Sequence, residues 1–336
     1  MLMTGGGAPG APGILRCLKQ ISNIQITLAD ANPNAVGKFL NQSFESIPLA
    51  GDGNFIEDVL KLSLSLKVTH ILPLVTRELF KFSSAKNRFI EAGIHVLVSD
   101  PEPLNIANDK GLTYLTLEKL GISVPAFRII HSIADLKTAA LELGYPNKKL
   151  AIKPCVSNGS RGFRILQAQD KDAAKRFFTE KPTASSQTVE EIAEMLKDYP
   201  IPPMLLSEFL PGDEYSIDTV VKDGKCLITL PRKRTEIRAG ISVRGEFEQN
   251  QEIISYCEAI ASGLKLEGNI GLQVKADENG NYRLLEINPR VQGTIVSALG
   301  AGVNLPAIAI NGKAPDPSII DWDTKFVRYY EEVFYR

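Results

Sequence analysis

The densest chemistry in the chain is Glu286-Ile287-Asn288-Pro289-Arg290. Alternation along a strand sets Glu286 and Asn288 on one face. An upstream strand carrying Gln273, turned at Asn279-Gly280, can lie beside them as a hairpin partner. Three side-chain oxygens with one formal negative charge make a weak all-protein cage. They suit Mg²⁺, or Mn²⁺, completing its octahedron from nucleotide phosphates and water. Arg290 then reaches a transferring phosphoryl group. The competing reading is a polar strand end with a glutamate paired to arginine.

Two further segments carry phosphate or nucleotide chemistry. The run from Lys153 to Gly162 sits between two expected strands; its amides can fold over phosphates while Lys153 supplies a point charge. A hairpin loop with a surface lysine has the same composition. In Ser207-Glu208-Phe209-Leu210-Pro211-Gly212-Asp213-Glu214-Tyr215 a strand ends in a carboxylate, turns at Pro-Gly and re-enters with another. That is a hinge able to offer backbone groups to an adenine and an acid to a ribose, or an ordinary hairpin.

The first glycines, Gly5-Gly6-Gly7-Ala8-Pro9-Gly10, satisfy the dinucleotide fingerprint on paper, with Asp30 twenty residues beyond Gly10. Pro9, Pro12 and Gly13 make this loop longer and stiffer than such a cradle. A tight strand-to-helix turn competes with nicotinamide or flavin binding. No Gly-x-x-x-x-Gly-Lys-Ser/Thr occurs, which removes the P-loop NTPases. Arg232-Lys233-Arg234 with Arg238 form a basic cluster for triphosphate or a substrate carboxylate, or a solvated charged edge. Thr76 and Glu78 follow an expected strand at the carboxyl edge where ligands gather, and are substrate-contact candidates.

The elements that must hold these residues alternate at first. Strands are expected over 24–30, 69–74 and 95–98, after a stub at 1–4, with helices over 54–66 and 78–92. That alternation predicts a doubly wound parallel sheet. Two prolines at 101 and 103 mark a break, with a helix restarting near 108–110. Beyond it strands are expected over 127–130, 150–153 and 163–167, with a helix over 132–143. Residues 181–203 read as a surface insert with a helix over 189–196. Strands at 204–208, 214–221, 225–230, 269–276 and 282–287 follow, with a helix over 249–264. The expected domains are 1–102 and 103–336.

With 38 basic and 39 acidic residues among 336, the net charge of −1 supplies no field for nucleic acid or an anionic membrane. A small-molecule partner is favoured. No apolar run reaches 18 residues and no leader is visible, so a cytoplasmic location is expected. Four scattered cysteines and three histidines argue against disulfide frameworks and zinc.

Taken in order, these segments resemble the ATP-grasp superfamily, most closely the ATP-binding domains of the carbamoyl-phosphate synthase large subunit and related stand-alone carboxylate–amine ligases. The resemblance runs from the first glycines to about Gly302. It implies a Rossmann-like pre-ATP-grasp domain over 1–102 contributing substrate contacts, then an α+β ATP-grasp domain with a lid subdomain over about 123–206. By the same resemblance, Lys110 and Lys153 bind phosphates, Gly159, Ser160 and Gly162 form the lid, and Glu208, Phe209 and Leu210 form the adenine hinge. Glu214 becomes the ribose acid, Gln273, Glu286 and Asn288 the metal ligands, and Arg290 the phosphate-binding arginine. At the position of Lys153 the synthase branch often has arginine. A full synthase large subunit carries two such units, and this chain has room for one.

The expected function is an ATP- and Mg²⁺-dependent ligase that phosphorylates a carboxylate and lets an amine attack the acyl phosphate. The alternatives are a single-unit or split carbamoyl-phosphate synthase component, a non-catalytic nucleotide-binding protein, and an NAD-dependent oxidoreductase. A homodimer, or a partner subunit in the split-synthase case, stays open.

Overall fold

The computed structural model describes residues 1–336 except 158, 160, 169–185, 239 and 336. Five short parallel strands form the first sheet: β1 (Leu2–Thr4), β2 (Thr27–Asp30), β3 (Phe44–Ser46), β4 (His70–Pro73) and β5 (His95–Val96). Their order is β3-β2-β1-β4-β5. The three-residue stub is therefore the central strand, and Leu2 and Met3 are sealed on both faces. The order reverses between β1 and β4, and ligands of open parallel sheets gather at the carboxyl ends beside such a reversal.

Local readings changed in three places here. The strand β3 was not expected. The helix anticipated over 78–92 is two, Thr76–Ser84 and Lys86–Glu91, divided at Ala85. The prolines taken as a break instead open a helix, Pro101–Asn108. Pro101 and Pro103 fall in its first turn, where the missing N–H groups would have had no intrahelical partner.

The second sheet contains β6 (Phe127–Ile130), β7 (Leu150–Pro154), β8 (Arg164–Leu166), β9 (Ser186–Gln187) and β10 (Met204–Glu208), in the order β6-β10-β7-β8-β9. Its helices Ile133–Glu142 and Val189–Leu196 both open with capping boxes, Ser132 with Asp135 and Thr188 with Glu191. Of the expected insert, 181–185 lie outside the described residues.

The third sheet is antiparallel: β11 (Glu214–Lys222), β12 (Lys225–Arg238), β13 (Ile241–Phe247), β14 (Gly268–Ala276), β15 (Tyr282–Asn288) and β16 (Lys325–Val327). The order is β15-β14-β11-β12-β13-β16. One face buries Ile217, Leu272 and Leu284 against Ile253, Cys257 and Ile260 of the helix Gln251–Gly263. The other buries Val220, Leu230 and Phe247 against Ile14, Leu15 and Leu18 of the helix Ala11–Leu18. That second face also carries the polar row described next, so the packing that joins the first sheet to the third borders the site.

Candidate functional site

Strand register assembles the row. Glu286 on β15 lies opposite Gln273 on β14, Gln273 opposite Ser216 on β11, and Ser216 opposite Arg232 on β12. Asn288, Gly271 and Asp218 form the next row. Directly opposed residues share a face. The hairpin pairing read from the Asn279-Gly280 turn is the observed one, with Gly280 at φ +83°.

Glu286 is the meeting point of three elements. Asn288 Nδ2 donates to its Oε1 at 3.3 Å, and Lys110 Nζ stands 3.8 Å from its Oε2. Lys110 is buried at the start of the helix Lys110–Lys119, which Asp109 caps. Its own N–H donates to Cys155 O, and its Nζ to Ser157 O at 2.9 Å, stitching the helix start to the loop after β7. From β7, Lys153 Nζ donates to Leu285 O at 2.8 Å. Burial pulls the Lys153 ammonium down to about 8; Glu286 and Glu214 oppose that shift and Lys110 adds to it. Arg290 is half-buried, Nη1 donating to Val291 O at 2.9 Å. Burial lowers its pKa and Glu286 again opposes. Two lysines and an arginine thus share one carboxylate, an arrangement poised for polyanionic phosphate.

Glu208 ends β10 and is used structurally, its Oε1 accepting from the Ala126 N–H at 3.2 Å. Phe209 N–H donates to Lys149 O at 3.2 Å, and its ring lies 5.1 Å from Lys275 Nζ. Leu210 is buried. Glu214 is held by Arg234, whose Nε donates to Ser242 Oγ at 2.9 Å and whose Nη2 donates to Gly240 O at 2.6 Å. Gly159 and Gly162 take φ of +64° and +76°, and Ser160 lies outside the described residues.

The basic cluster is not a free positive patch. Each member has an acid: Arg232 with Asp218, Lys233 with Asp213, Arg234 with Glu214, and Arg238 with Glu236. The reason is that β12 runs on to Arg238 and brings its cations alongside the carboxylates of β11. Arg238 ends that strand, exposed, and does not join the row.

The glycine run has a different use from the fingerprint. Gly7 N–H and Asn32 N–H donate to the two oxygens of Asp30, both at 2.8 Å, so the acid closes its own loop. A Cβ on Gly10 would stand 2.5 Å from Gly293 Cα, and one on Gly13 2.8 Å from Val296 Cγ1. The glycines let the first sheet approach the loop after Arg290, which takes away the ground for the oxidoreductase reading. Thr76 opens the helix Thr76–Ser84, and Glu78 is buried in its first turn beside Thr4.

Sequence reasoning missed Gln292 and Asp218. Gln292 is buried; its Nε2 donates to Ile217 O at 2.9 Å and Asp218 Oδ1 at 3.1 Å. It lies over Gly271, where a Cβ would come within 2.3 Å of its Cγ. A glycine inside a strand was the available signal, since it marks a close approach. A cavity of about 1010 Å³ opens elsewhere, at the amino ends of the first sheet beside Met1, Thr27 and Thr69.

Among the described residues no group of three His, Cys, Asp or Glu side chains could hold a metal, and no helix is long and apolar enough to cross a membrane. The oxygen donors Gln273, Glu286 and Asn288, with one formal negative charge, have the chemistry that suits a divalent cation sharing phosphate ligands.

Residues 200–327 match the family model described as ATP-grasp in the biosynthetic pathway with Ter operon. The chain is 25% identical over 270 residues to the carbamoyl phosphate synthase large chain of Thermoanaerobacter sp. (strain X514), covering 76% of this chain and 23% of that one. It thus spans about a quarter of that relative's length. Carboxyaminoimidazole ribonucleotide synthase from Aspergillus clavatus, solved with ATP, superposes with a TM-score of 0.70 at 15% identity, over 96% of this chain and 80% of that one. The L-amino acid ligase of Bacillus licheniformis gives 0.66 at 16% identity, over 93% and 73%. The chain has the ATP-grasp fold.

Proposed function

We propose that this chain is an ADP-forming ligase that transfers the γ-phosphoryl group of ATP to a carboxylate and joins the resulting acyl phosphate to an amine. The observation that carries this reading is the convergence of Lys110, Lys153, Asn288 and Arg290 on Glu286. The relatives agree with it: a synthase, a ribonucleotide synthase solved with ATP, and an amino acid ligase. In this reading residues 1–102 are a Rossmann-like unit supplying substrate contacts, 103–336 the ATP-grasp unit, and about 123–206 its lid.

Gln273, Glu286 and Asn288 would hold Mg²⁺, which when bound neutralises phosphate charge. Lys110 and Lys153 hold the phosphates, and Arg290 stabilises the charge that builds on the transferring group. The lid residues Gly159 and Gly162 would help to cover ATP and keep water from the acyl phosphate. The hinge Glu208–Leu210 takes the adenine, and Glu214, released from or shared with Arg234, takes the ribose.

The nucleotide product tests the reaction class. Attack at the γ-phosphorus gives ADP and phosphate, whereas adenylate formation gives AMP and pyrophosphate. ADP formed in dependence on a carboxylate, with a hydroxamate trapped by hydroxylamine, is the expected result. AMP, or ADP at the same rate without an acceptor, would reject the ligase. ATP bound without ADP release would favour a nucleotide-binding protein.

The similarity to a carbamoyl phosphate synthase large chain supports one other reading, a single-unit or split synthase component acting on bicarbonate or carbamate. Carbamoyl phosphate formed from bicarbonate and ammonia would select it.

A further inference from the structure

Glu78 is 6% exposed and sits in the first turn of the helix after β4. Thr4, at the end of β1, donates its hydroxyl to Glu78 Oε2 at 2.5 Å. The two residues therefore bridge β1 and β4 at their carboxyl ends, which is where the strand order of the first sheet reverses. Among the described residues, Oε1 accepts no hydrogen bond and no basic side chain pairs with Glu78. Among the described residues, the other charge that bears on it is Asp30, of the same sign. A buried carboxylate without a counter-ion is an expensive thing to keep, and this one lies at the carboxyl edge of the sheet where ligands of such folds gather.

The loop that leaves this edge of the sheet reaches the nucleotide half. Thr4 leads into Gly5–Gly10, and Gly10 touches Gly293, three residues after Arg290. The glycine loop thus runs from the strand end that holds Glu78 to the segment that follows Arg290. The nucleotide half already has its cations; the missing charge complement at Glu78 is a cation.

From this placement we infer that Glu78 receives the amine substrate as an ammonium ion and takes a proton from it, a role that rests on the ligase reading. The sequence of events balances. One N–H proton passes to the Glu78 carboxylate and frees the nitrogen lone pair. The lone pair attacks the acyl carbon, the C–N bond forms as the carbon–oxygen bond to phosphate breaks, and inorganic phosphate departs with the second proton. Burial and Asp30 push the Glu78 carboxyl up to about 7, with the Thr4 hydrogen bond opposing, which suits a group that must accept a proton near neutrality. The substrate class follows: a primary amine, cationic in water, small enough to reach a carboxylate beneath the glycine loop.

The test compares two nucleophiles on the same acyl phosphate. Wild type, Glu78→Gln and Glu78→Asp are given ATP, Mg²⁺ and the twenty L-amino acids as carboxylates. Each receives either hydroxylamine, uncharged at neutral pH, or methylamine, which enters as a cation. Glu78→Gln should lower methylamide formation at least tenfold more than hydroxamate formation, and Glu78→Asp should recover part of the difference. Equal losses with both nucleophiles would mean a structural role and overturn the proposal, as would no loss with either.

If wild type makes no hydroxamate from these acids, a binding measurement still decides the site. Methylammonium chloride should raise the wild-type melting temperature above that in sodium chloride of equal ionic strength, and should not do so for Glu78→Gln. The same shift in both proteins would reject a cation site.

Discussion

Gly10 and Gly293 meet backbone to backbone across the joint between the first and third sheets: a Cβ on Gly10 would lie 2.5 Å from the Gly293 Cα and 3.4 Å from its carbonyl oxygen. No flexible side chain is there to yield. On the helix Ala11–Leu18, which Gly10 precedes, Cys17 O accepts from Asn304 Nδ2 at 2.8 Å, and Gly13 passes Val296. The joint ties the glycine loop to the segment that follows Arg290, so its geometry and that of the proposed phosphate site are set together.

Gly10→Ala should therefore destabilise the protein by about 1–3 kcal/mol, the usual range for overpacking a close contact, and should lower turnover as well. Gly53→Ala is the matched control, because nothing lies within 4 Å of its Cβ position, and it should stay within about 0.5 kcal/mol. Urea unfolding of the three proteins measures both. Equal stability for Gly10→Ala would mean the joint is slack.

What was legible in the sequence follows from how far apart the partners lie. Gln273 and Glu286 could be paired because a local Asn-Gly turn fixes their hairpin. Gly10 could not be interpreted, since its partner is Gly293 and nothing local distinguishes a packing glycine from a phosphate-binding one. The acid partners of the basic cluster were out of reach for a similar reason. Arg232 and Asp218 become neighbours only once the register of β11 and β12 is known, and β12 outruns its apolar stretch by eight residues. Pro101 and Pro103 read as a break in the sequence because a proline signals an end and a beginning alike.

Lys153 gives a pH signature with two opposite signs. Its ammonium titrates near 8 in the free protein, and phosphate favours the charged form. ATP affinity should thus fall as pH rises through 8 to 9.5, whereas Lys153→Arg, charged throughout, should show a flat profile. Stability should move the other way. The folded pKa lies below the unfolded 10.5, so the unfolded chain binds more protons between those values and this group's contribution to stability rises with pH there. Calorimetric titration of ATP at several pH values, with unfolding midpoints alongside, reads both. A wild-type affinity that is flat with pH would remove Lys153 from the phosphate site.

Gln292 should act on Arg290 without touching substrate. Its amide fixes the loop to Ile217 and Asp218 through the space that Gly271 leaves open. Gln292→Leu cuts those bonds, while Gly271→Ala pushes the same side chain away from the other side. Both should lower kcat by about 10²-fold, the scale of a 1 Å misplacement, with KM for ATP changed by less than about threefold. The convergence of two unlike substitutions is the point of the experiment. A rise in KM with kcat intact would show that the loop serves ATP binding instead.

Glu286→Gln isolates charge from shape at the centre of the site. Glutamine keeps the side-chain length and one oxygen, so the hairpin with β14 should persist and unfolding midpoints should move little. What changes is the balance of charge around Lys110, Lys153 and Arg290, which lose the anion opposing them. In the absence of divalent cation, ATP meets a more positive site, and its affinity should be equal or higher. With Mg²⁺ the effect reverses: the only charged residue among the three proposed ligands is gone, and the Mg²⁺ concentration for half-maximal ADP formation should rise by about tenfold or more. The two measurements together discriminate between the roles open to Glu286. A purely structural partner of the lysines would shift ATP affinity and leave the Mg²⁺ requirement alone. An unchanged requirement, whatever happens to ATP binding, would move the metal away from β15.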